Sequence, residues 1–123
     1  MMTITTYSEV NGPAEIAQNA AAADTFLSRL KGLMFSPGFG QADALVLFPC
    51  NSIHTWFMRF PIDALCLDAG GAVVDVAHNL RPWRFFFPRG RAKTIIELPS
   101  GTLARCGVGP GDSVKVASPE QRM

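Results

Sequence analysis

The sequence predicts a mainly β, α+β fold: a small β-barrel or sandwich of short strands with two or three short helices at its rim. From residue 42 onward, runs of strand length that are rich in β-branched and aromatic residues alternate with turn residues. The segments that fit helices are short. The 123 residues, of which 48% are hydrophobic, suit a single domain with one core and are too few for two ordinary domains.

The N-terminal part of the chain carries the weakest pattern. Met2–Tyr7 fits a short β segment, and the Ala-rich run Ala14–Ala23 fits the start of a helix without a clear apolar face. Asp24 is a candidate N-cap for a short amphipathic helix, which Gly32 would end. We therefore describe residues 1–23 as a weakly patterned N-terminal region that precedes the one well-patterned helix.

Six candidate strands follow, and proline, glycine and aspartate mark most of their boundaries. In chain order they are Ala44–Phe48, Ile53–Phe60, Ile62–Leu67, Ala72–Ala77, Thr94–Leu98 and Ser113–Val116. The turn Asp68–Gly71 predicts a hairpin between the third and fourth runs, because Gly70 and Gly71 adopt positive φ without steric cost. This hairpin is the clearest local prediction that the sequence makes.

The C-terminal part of the chain predicts one more helix and a tail. Ser100 is a candidate N-cap for the short helix Thr102–Cys106, and Gly107 is its candidate end. Residues 118–123 form a tail that we expect to fray. Residues 1–123 are thus predicted to form one domain.

The charge balance and the cysteines limit the classes of function. The formal net charge is +1, which gives no overall field to select a polyanion. No apolar run approaches the ~20 residues that cross a bilayer, and Met1–Val10 lacks the pattern of a secretory signal, so we expect a cytoplasmic location. Cys50, Cys66 and Cys106 are an odd number at wide spacing, which predicts reduced thiols.

Several segments, in the order in which they occur, resemble one known family. Arg29–Met34 resembles an Arg-x-x-Gly-Leu-Met element, and His54–Asp63 resembles a His-Thr-aromatic-aromatic-Met-x-x-x-Ile-Asp signature. Ile96–Gly101 and Gly107–Asp112 are similar to two closing elements, Leu-Glu-x-x-x-Gly and Gly-x-x-x-Gly-Asp. Together, across about residues 25–116, they resemble the DUF192 family of uncharacterised proteins, also called UPF0127, a bacterial-type family.

This resemblance implies a small, mostly β fold, and it implies no established reaction, substrate or cofactor. Many relatives in the family carry an export signal, from which the start of this sequence departs. We expect no cofactor and an unidentified small ligand or protein as partner. We also expect no metal site, because Cys50 and His54 are four residues apart on an expected strand and no close pair of zinc ligands occurs.

Five polar residues in recognisable elements form the first candidate site: Arg29, His54, Thr55, Asp63 and Glu97. Polar groups within apolar strands need partners, because an unpaired one in the interior costs about 1–3 kcal/mol. Asp63 or Glu97 could orient the imidazole of His54 or pair with Arg29. Two interpretations follow: a polar pocket for a small ligand or acid–base chemistry, or a structural network that ties the first helix to the sheet.

A second set of residues, aromatic and apolar, directly follows the histidine of this site. On an extended strand Trp56, Met58 and Phe60 share one face, and Phe57 lies on the other. Aromatic stripes of this kind are typical of core packing, which is the interpretation that we favour. The alternative is that Met58 lines a ligand-binding wall.

The third set is a basic and aromatic loop. From residue 81 to residue 93 the chain carries five basic and no acidic residues, interleaved with four aromatic ones. Such a loop could stack on the bases of RNA or lie on an anionic membrane surface. We favour aromatic residues that pin the loop to the domain and arginines that are solvated, since the net charge gives no supporting field. The candidate site residues here are Arg81, Trp83, Arg84, Arg89 and Arg91.

The sequence therefore leaves three functions open. The leading hypothesis is a non-enzymatic binding or accessory domain with a polar pocket near His54. The second is a small hydrolase or isomerase that uses His54 with Asp63 or Glu97. The third is an RNA- or membrane-surface-binding module that acts through residues 81–93.

Overall fold

The computed structural model describes residues 2–8, 12–23, 33–34 and 36–117, and within them the fold is mainly β, as predicted. The predicted helix that starts at Asp24, with Arg29, and the predicted tail 118–123 lie outside the described residues. The strands are β1 (Met2–Ser8), β2 (Gly12–Ala23), β3 (Ala44–Leu47), β4 (Ile53–His54), β5 (Ile62–Leu67), β6 (Val73–Leu80), β7 (Phe85–Phe86), β8 (Thr94–Pro99) and β9 (Ser113–Ala117), and the helix is α1 (Thr102–Cys106).

Seven of the strands form one sheet in the order β6-β5-β8-β3-β2-β1-β9. Neighbouring strands run antiparallel except β2 and β3, which run parallel. Strands β4 and β7 form a separate ribbon, in which Ile53 pairs with Phe86 and His54 pairs with Phe85. The ribbon therefore places residues from two of the predicted sites side by side.

The sheet is not closed into the predicted barrel. Its edge strands β6 and β9 approach each other at one end, where Ala72 forms an isolated antiparallel bridge with Ser113. At the same place the N–H group of Val114 donates to the carbonyl of Gly71 at 2.8 Å. Beyond that point β6 has β5 as its neighbour in the sheet, so no ladder joins the two edges.

One helix, α1, lies within the described residues, so the predicted set of two or three helices is not supported there. Gly107 ends α1 with a left-handed φ of 68°, as the sequence predicted. The predicted N-cap Ser100 is wrong, because Gly101 occupies that position and has no side chain to bond the helix. The carboxylate of Asp63 supplies the cap instead, by accepting hydrogen bonds from the N–H groups of Gly101 and Leu103.

The N-terminal region is more regular than its sequence pattern indicated. The predicted start of a helix in Ala14–Ala23 is wrong, because this run belongs to strand β2. Strand β2 has a hydrogen-bonded neighbour on each edge, β1 on one side and β3 on the other. Alanine favours helices by less than 1 kcal/mol over most residues, so pairing on both edges overrides that preference.

The predicted strand Ile53–Phe60 is wrong beyond its first two residues. Strand β4 ends at His54, and the chain then turns, with the N–H group of Met58 bonded to the Thr55 carbonyl at 3.2 Å. Phe57 sits at a left-handed φ of 62°. The expected alternation of faces is therefore lost: Met58 is buried, whereas the two aromatic residues before it are exposed.

The predicted hairpin between β5 and β6 is confirmed. The two strands are antiparallel, and the carboxylate of Asp68 accepts hydrogen bonds from the N–H groups of Gly70 at 2.9 Å and Ala72 at 3.0 Å. Of the two glycines only Gly71 has a positive φ, at 87°. A β-carbon at Gly71 would lie 2.8 Å from the carbonyl oxygen of Val114, so this position has no room for another residue.

The sheet buries apolar side chains on both of its faces. One core cluster contains Leu65 and Ile96, and α1 contributes Leu103 to it. The other contains Met58 and Ile95, and Phe86 of the ribbon packs against it. Successive residues of a strand point to opposite faces, which is why neighbours in sequence belong to different clusters.

Candidate binding surface

The two carboxyl groups of the first predicted site lie on neighbouring strands but on opposite faces of the sheet. In the register between β5 and β8, Asp63 pairs with Leu98 and Ala64 pairs with Glu97. Leu98 belongs to the core cluster on one face, and Ala64 belongs to the cluster on the other. Because paired residues share a face, the carboxyl groups point away from each other and do not line one pocket.

Asp63 is buried and holds several parts of the backbone together. Its Oδ1 atom accepts a hydrogen bond from the N–H group of Asn79 at 2.9 Å. Its Oδ2 atom accepts from the N–H groups of Gly101 at 3.1 Å and Leu103 at 2.9 Å. One carboxylate thus caps α1 and fixes the end of β6, which is a structural role.

Glu97 is as buried as Asp63, but its two carboxyl oxygens differ from those of Asp63 in their surroundings. Within the described part of the chain its Oε1 atom has no hydrogen-bond partner, and the residue is 2% exposed. Burial raises the pKa of this carboxyl group from 4.5 to about 8, because loss of solvation disfavours the charged form. At neutral pH the favoured form is therefore an uncharged acid inside the sheet.

His54 ends strand β4 and is half-buried. Its Nδ1 atom accepts a hydrogen bond from the N–H group of Trp56 at 3.2 Å. All three hydrogen-bond partners of Asp63 are backbone N–H groups, so His54 and Asp63 share no hydrogen bond. The expected network of His54 with at least one of Arg29, Asp63 and Glu97 stays a prediction, because Arg29 lies outside the described residues.

Thr55 is fully buried and joins two of the predicted sites. Its hydroxyl donates to the carbonyl of Arg81 at 2.6 Å and accepts from the N–H group of Arg84 at 2.9 Å. Its own N–H group donates to the Arg84 carbonyl at 2.8 Å, and its carbonyl accepts from the N–H group of Trp83 at 2.9 Å. These bonds fix the start of the basic and aromatic loop against the turn that follows β4.

Five aromatic rings stand exposed on this support, and we call them the aromatic ridge. Their exposed fractions rise from 40% for Trp56 to 72% for Phe87. Each ring contacts the next, with centroid distances of 4.7, 5.8, 5.3 and 6.1 Å along the series. Phe86 alone among the three consecutive phenylalanines packs against the core and pins the loop. In order of contact the ridge consists of Phe57, Trp83, Trp56, Phe85 and Phe87.

Basic side chains flank the aromatic ridge in sequence, and all of them are exposed. No acidic residue occurs in segments 51–60 and 81–93, which carry the ridge. The carboxylate that bonds the loop backbone is that of Asp75, which accepts from the N–H group of Arg89 at 2.9 Å. These two segments thus carry only positive charge, although the chain as a whole is nearly neutral and Asp68 lines a second cleft together with Arg91 and Lys93. These flanking cations are Arg59, Arg81, Arg84, Arg89, Arg91 and Lys93.

A cleft of about 550 Å³ opens beside the most exposed ring of the ridge. Its lining includes Phe87, Arg91, Asn51 and Ser52. Arginine, asparagine and serine supply hydrogen-bond donors, and the phenylalanine supplies an apolar wall. The cleft therefore suits an anionic group that is attached to an apolar one.

The cysteines offer no sign of a reactive site. No disulfide joins Cys50, Cys66 and Cys106. Burial, with smaller contributions from Asp75 and Cys50, raises the pKa of Cys66 to about 12, so that thiol stays protonated.

Across the residues described, no group of three or more His, Cys, Asp and Glu side chains could hold a metal ion. No helix among these residues is long and apolar enough to cross a membrane.

The sequence marked both segments of the aromatic ridge as unusual, but it did not predict that they lie side by side. It assigned Trp56 and Phe57 to a core strand and the loop aromatics to packing. Phe57 and Trp83 have φ values of 62° and 66°, which no sequence pattern predicts for large aromatic residues. A usable signal was the spacing of Phe85 and Phe87, because residues two apart on a strand share a face.

Comparison with known proteins identifies the family of the chain. The model of the DUF192 family, described as "Uncharacterized ACR", matches residues 8–116, so the match begins earlier than the expected residue 25. A UPF0127 protein of Thermococcus sibiricus is 40% identical over 105 residues, which cover 81% of this chain and 67% of that protein. A UPF0127 protein of Pyrococcus horikoshii is 41% identical over 96 residues, covering 76% of this chain and 83% of that protein.

The structural comparison agrees with the sequence comparison. A protein of unknown function from Novosphingobium aromaticivorans superposes with a TM-score of 0.79 at 23% identity, covering 92% of this chain and 83% of that one, which shows a shared fold. The curated relatives described above are archaeal, so the expectation of a bacterial-type family is corrected. The chain belongs to the DUF192 family, also called UPF0127, whose members have no characterised function.

Proposed function

We propose that this protein is a non-enzymatic binding module that holds an anionic partner against the aromatic ridge and its flanking cations. The observation that carries the proposal is the contiguous exposure of the five ridge rings. Single exposed apolar side chains are ordinary on protein surfaces, whereas a contiguous group of them with a polar border marks an interaction site.

The first support is the free energy that the exposed rings would gain if a partner buried them. Completely burying one phenylalanine side chain contributes about 1.5–3 kcal/mol, and large aromatic groups dominate the energetics of interfaces. Phe85 and Phe87 are 60% and 72% exposed, so most of that contribution is still unrealised in the free protein. A partner that covers both rings would gain it.

The second support is the set of contacts that hold the ridge in place. Both of its segments are tied down by hydrogen bonds from a buried residue, Thr55, and the far end of the loop is held by the carboxylate of Asp75. Phe86 adds an apolar anchor. A surface that is already ordered loses little conformational entropy on binding, which favours affinity.

The third support is the sign of the surrounding charge. The flanking cations come from segments that contain no carboxylate. A positive local surface favours an anionic partner and speeds its encounter, even where the net charge of the chain is small.

The other two functions have weaker support. A polar pocket near His54 stays a prediction, because Asp63 binds backbone N–H groups and faces away from Glu97. A hydrolase or isomerase that uses His54 with either carboxylate needs them close to the histidine.

Two anionic probes test the proposal: vesicles of phosphatidylcholine with phosphatidylserine, and a single-stranded oligouridylate. We expect the protein to bind at least one probe, and the double variant Phe85→Ser/Phe87→Ser to lower that affinity by about tenfold or more. The control variant Tyr7→Ser removes an aromatic ring of β1 that is 45% exposed and lies outside the ridge. It should bind like the unmodified protein. Binding of neither probe, or equal binding by the ridge variant, would contradict the proposal.

A further inference from the structure

We infer that the anionic partner is a lipid bilayer, with the aromatic ridge seated in the interfacial layer and the flanking cations against the headgroups. This inference rests on the proposed function and names its partner. It follows from how the rings meet, where the tryptophans lie and what lines the adjoining cleft.

The ridge rings fill the space between one another. The contacts of Trp56 with Trp83 and Phe85 and of Phe57 with Trp83 are tilted, with interplanar angles of 47°, 49° and 59°. Centroid separations of 4.7 to 5.8 Å in these pairs are those of rings in direct contact. A base of a nucleic acid stacks on a free aromatic face. In these three pairs a neighbouring ring occupies the facing surface, and Phe85 and Phe87 stack at 6.1 Å, so the five rings form one contiguous apolar surface that suits insertion into lipid.

The exposure of the tryptophans and of Phe85 and Phe87 also suits a bilayer interface. Phe85 and Phe87, which carry no polar atom, are the most exposed rings at 60% and 72%. Trp56 and Trp83 are 40% and 53% exposed. Tryptophan concentrates at the level of the headgroups, where one end of the ring is apolar and the other is wet, and phenylalanine serves as the apolar face of interfacial segments.

The residues that line the cleft beside Phe87 suit a phosphate that is joined to an apolar chain. Arg91, Asn51 and Ser52 line it together with that ring. Arginine binds phosphate through two parallel N–H donors, and serine and asparagine add single ones. The headgroup of a phospholipid brings a phosphate and its acyl chains to one place, which a free phosphate does not.

The charge of the surface sets the lipid that it prefers. Each lysine or arginine close to an anionic membrane strengthens binding by about fivefold, an effect that falls off within a Debye length. The six flanking cations therefore favour membranes that contain anionic lipid, and binding should weaken as salt rises.

Flotation with vesicles tests the inference on the full chain. The protein should float with vesicles of phosphatidylcholine and phosphatidylserine, and should stay behind with phosphatidylcholine alone and fail to bind oligouridylate. The double variant Phe85→Ser/Phe87→Ser should lose flotation, while Arg91→Gln should weaken it by about fivefold. The control Arg105→Gln removes an exposed cation of α1, outside the ridge, and should float like the unmodified protein.

The outcomes separate this inference from the proposed function. If oligouridylate binds through the ridge and vesicles do not, the bilayer is the wrong partner and the binding module stands. If neither probe binds, both the bilayer inference and the proposed function are contradicted. If vesicles bind but the ridge variant floats equally well, the membrane contact lies elsewhere and both the inference and the proposed role of the ridge are overturned. Circular dichroism and the urea midpoint of each variant show whether a loss reflects unfolding.

Discussion

Two regions of this protein hold side chains in surroundings that those side chains do not favour by themselves. Inside the sheet, polar groups are buried, and on the aromatic ridge, large rings face water. The buried groups find partners within the chain: Asp63 binds three backbone N–H groups, and Thr55 binds the loop that carries the ridge. The rings contact one another and stay 40–72% exposed. The contrast separates side chains that stabilise the fold, which are the buried polar groups, from side chains available to a partner, which are the exposed rings.

Glu97 is the exception among the buried groups. It lies in a central strand, yet its Oε1 atom is unpartnered in the described part of the chain. An unpaired polar atom inside a protein costs free energy, whereas the fully satisfied Asp63 contributes stability. Removal of the charge of Asp63 should therefore lower stability, whereas Glu97 favours the uncharged form at neutral pH and should lose stability only as rising pH ionises it.

The largest expected effect comes from Asp63. We expect Asp63→Asn to lower the free energy of unfolding by about 3 kcal/mol or more, because an amide NH₂ group would face a backbone donor and charge-assisted bonds would be lost. Urea denaturation at neutral pH measures the change. The control is Asp43→Asn, whose carboxylate also accepts from two backbone N–H groups, those of Gln18 and Asn19, but at an exposed site. A loss at Asp63 no greater than at Asp43 would show that burial adds nothing.

The next effect is a dependence on pH that Glu97 imposes. The folded state holds the proton of this group up to a pKa of about 8, whereas the unfolded state releases it near 4.5. The stabilising contribution is therefore complete below pH 4.5, declines as the pH rises through this window and is gone above pH 8. At roughly 1.4 kcal/mol per unit of pKa shift, the decline amounts to a few kcal/mol.

Two glutamine variants test this dependence by urea denaturation between pH 4.5 and pH 9. Glu97→Gln should flatten the decline in stability across the window. Glu15→Gln, at an exposed position of β2, should leave it as in the unmodified protein. A decline that persists in Glu97→Gln would mean that another group causes it.

A smaller effect is expected at Thr55. The substitution Thr55→Val keeps the shape of the side chain but leaves the Arg81 carbonyl and the Arg84 N–H group without their hydroxyl partner. We expect a loss of about 1–2 kcal/mol in the free energy of unfolding, since the loop is partly exposed and water can compensate. Amide hydrogen exchange should also quicken in residues 81–84. Thr55→Ser keeps the hydroxyl and should restore most of the stability, and if it does not, packing of the methyl group matters more than the bonds.

The smallest effect on stability is expected on the ridge itself. The double variant Phe85→Ser/Phe87→Ser should change the free energy of unfolding by less than about 1 kcal/mol, because each ring is more exposed than buried. Phe86→Ser, between them, removes a ring that packs against the core and should cost more. Equal losses in both variants would mean that the ridge serves the fold and would weaken the contrast between the two regions.

Part of this account could be predicted from sequence. The hairpin at Asp68–Gly71, the β-rich composition and the end of α1 at Gly107 follow from local signals, and the structure confirms them. The strand β2 could not be predicted, because its alanines favour a helix locally and its partners are distant. Likewise the cap of α1 comes from Asp63, far away in the chain. Local sequence pattern thus predicts the features that depend on residues close together in the chain. It misses the features that depend on pairing between distant strands.

The candidate site shows the same limit. Residue types identified His54–Asp63 and residues 81–93 as unusual, but periodicity placed Trp56 in a core strand that does not exist. The two segments meet only because Thr55 binds the backbone of the loop and β4 pairs with β7. The spacing of residues along the chain predicts neither contact, so the ridge can be identified only from the three-dimensional structure.

The most direct measurement of the central claim is tryptophan fluorescence, because the only two tryptophans of the chain, Trp56 and Trp83, both lie on the aromatic ridge. In the free protein their emission should be that of solvated indole. On titration with vesicles of phosphatidylcholine and phosphatidylserine it should shift to shorter wavelength, and brominated acyl chains should quench it. The double variant Phe85→Ser/Phe87→Ser should show neither change. Emission that stays constant while the protein binds the vesicles, or that is already that of buried indole in the free protein, would contradict the claim that the ridge is the binding surface.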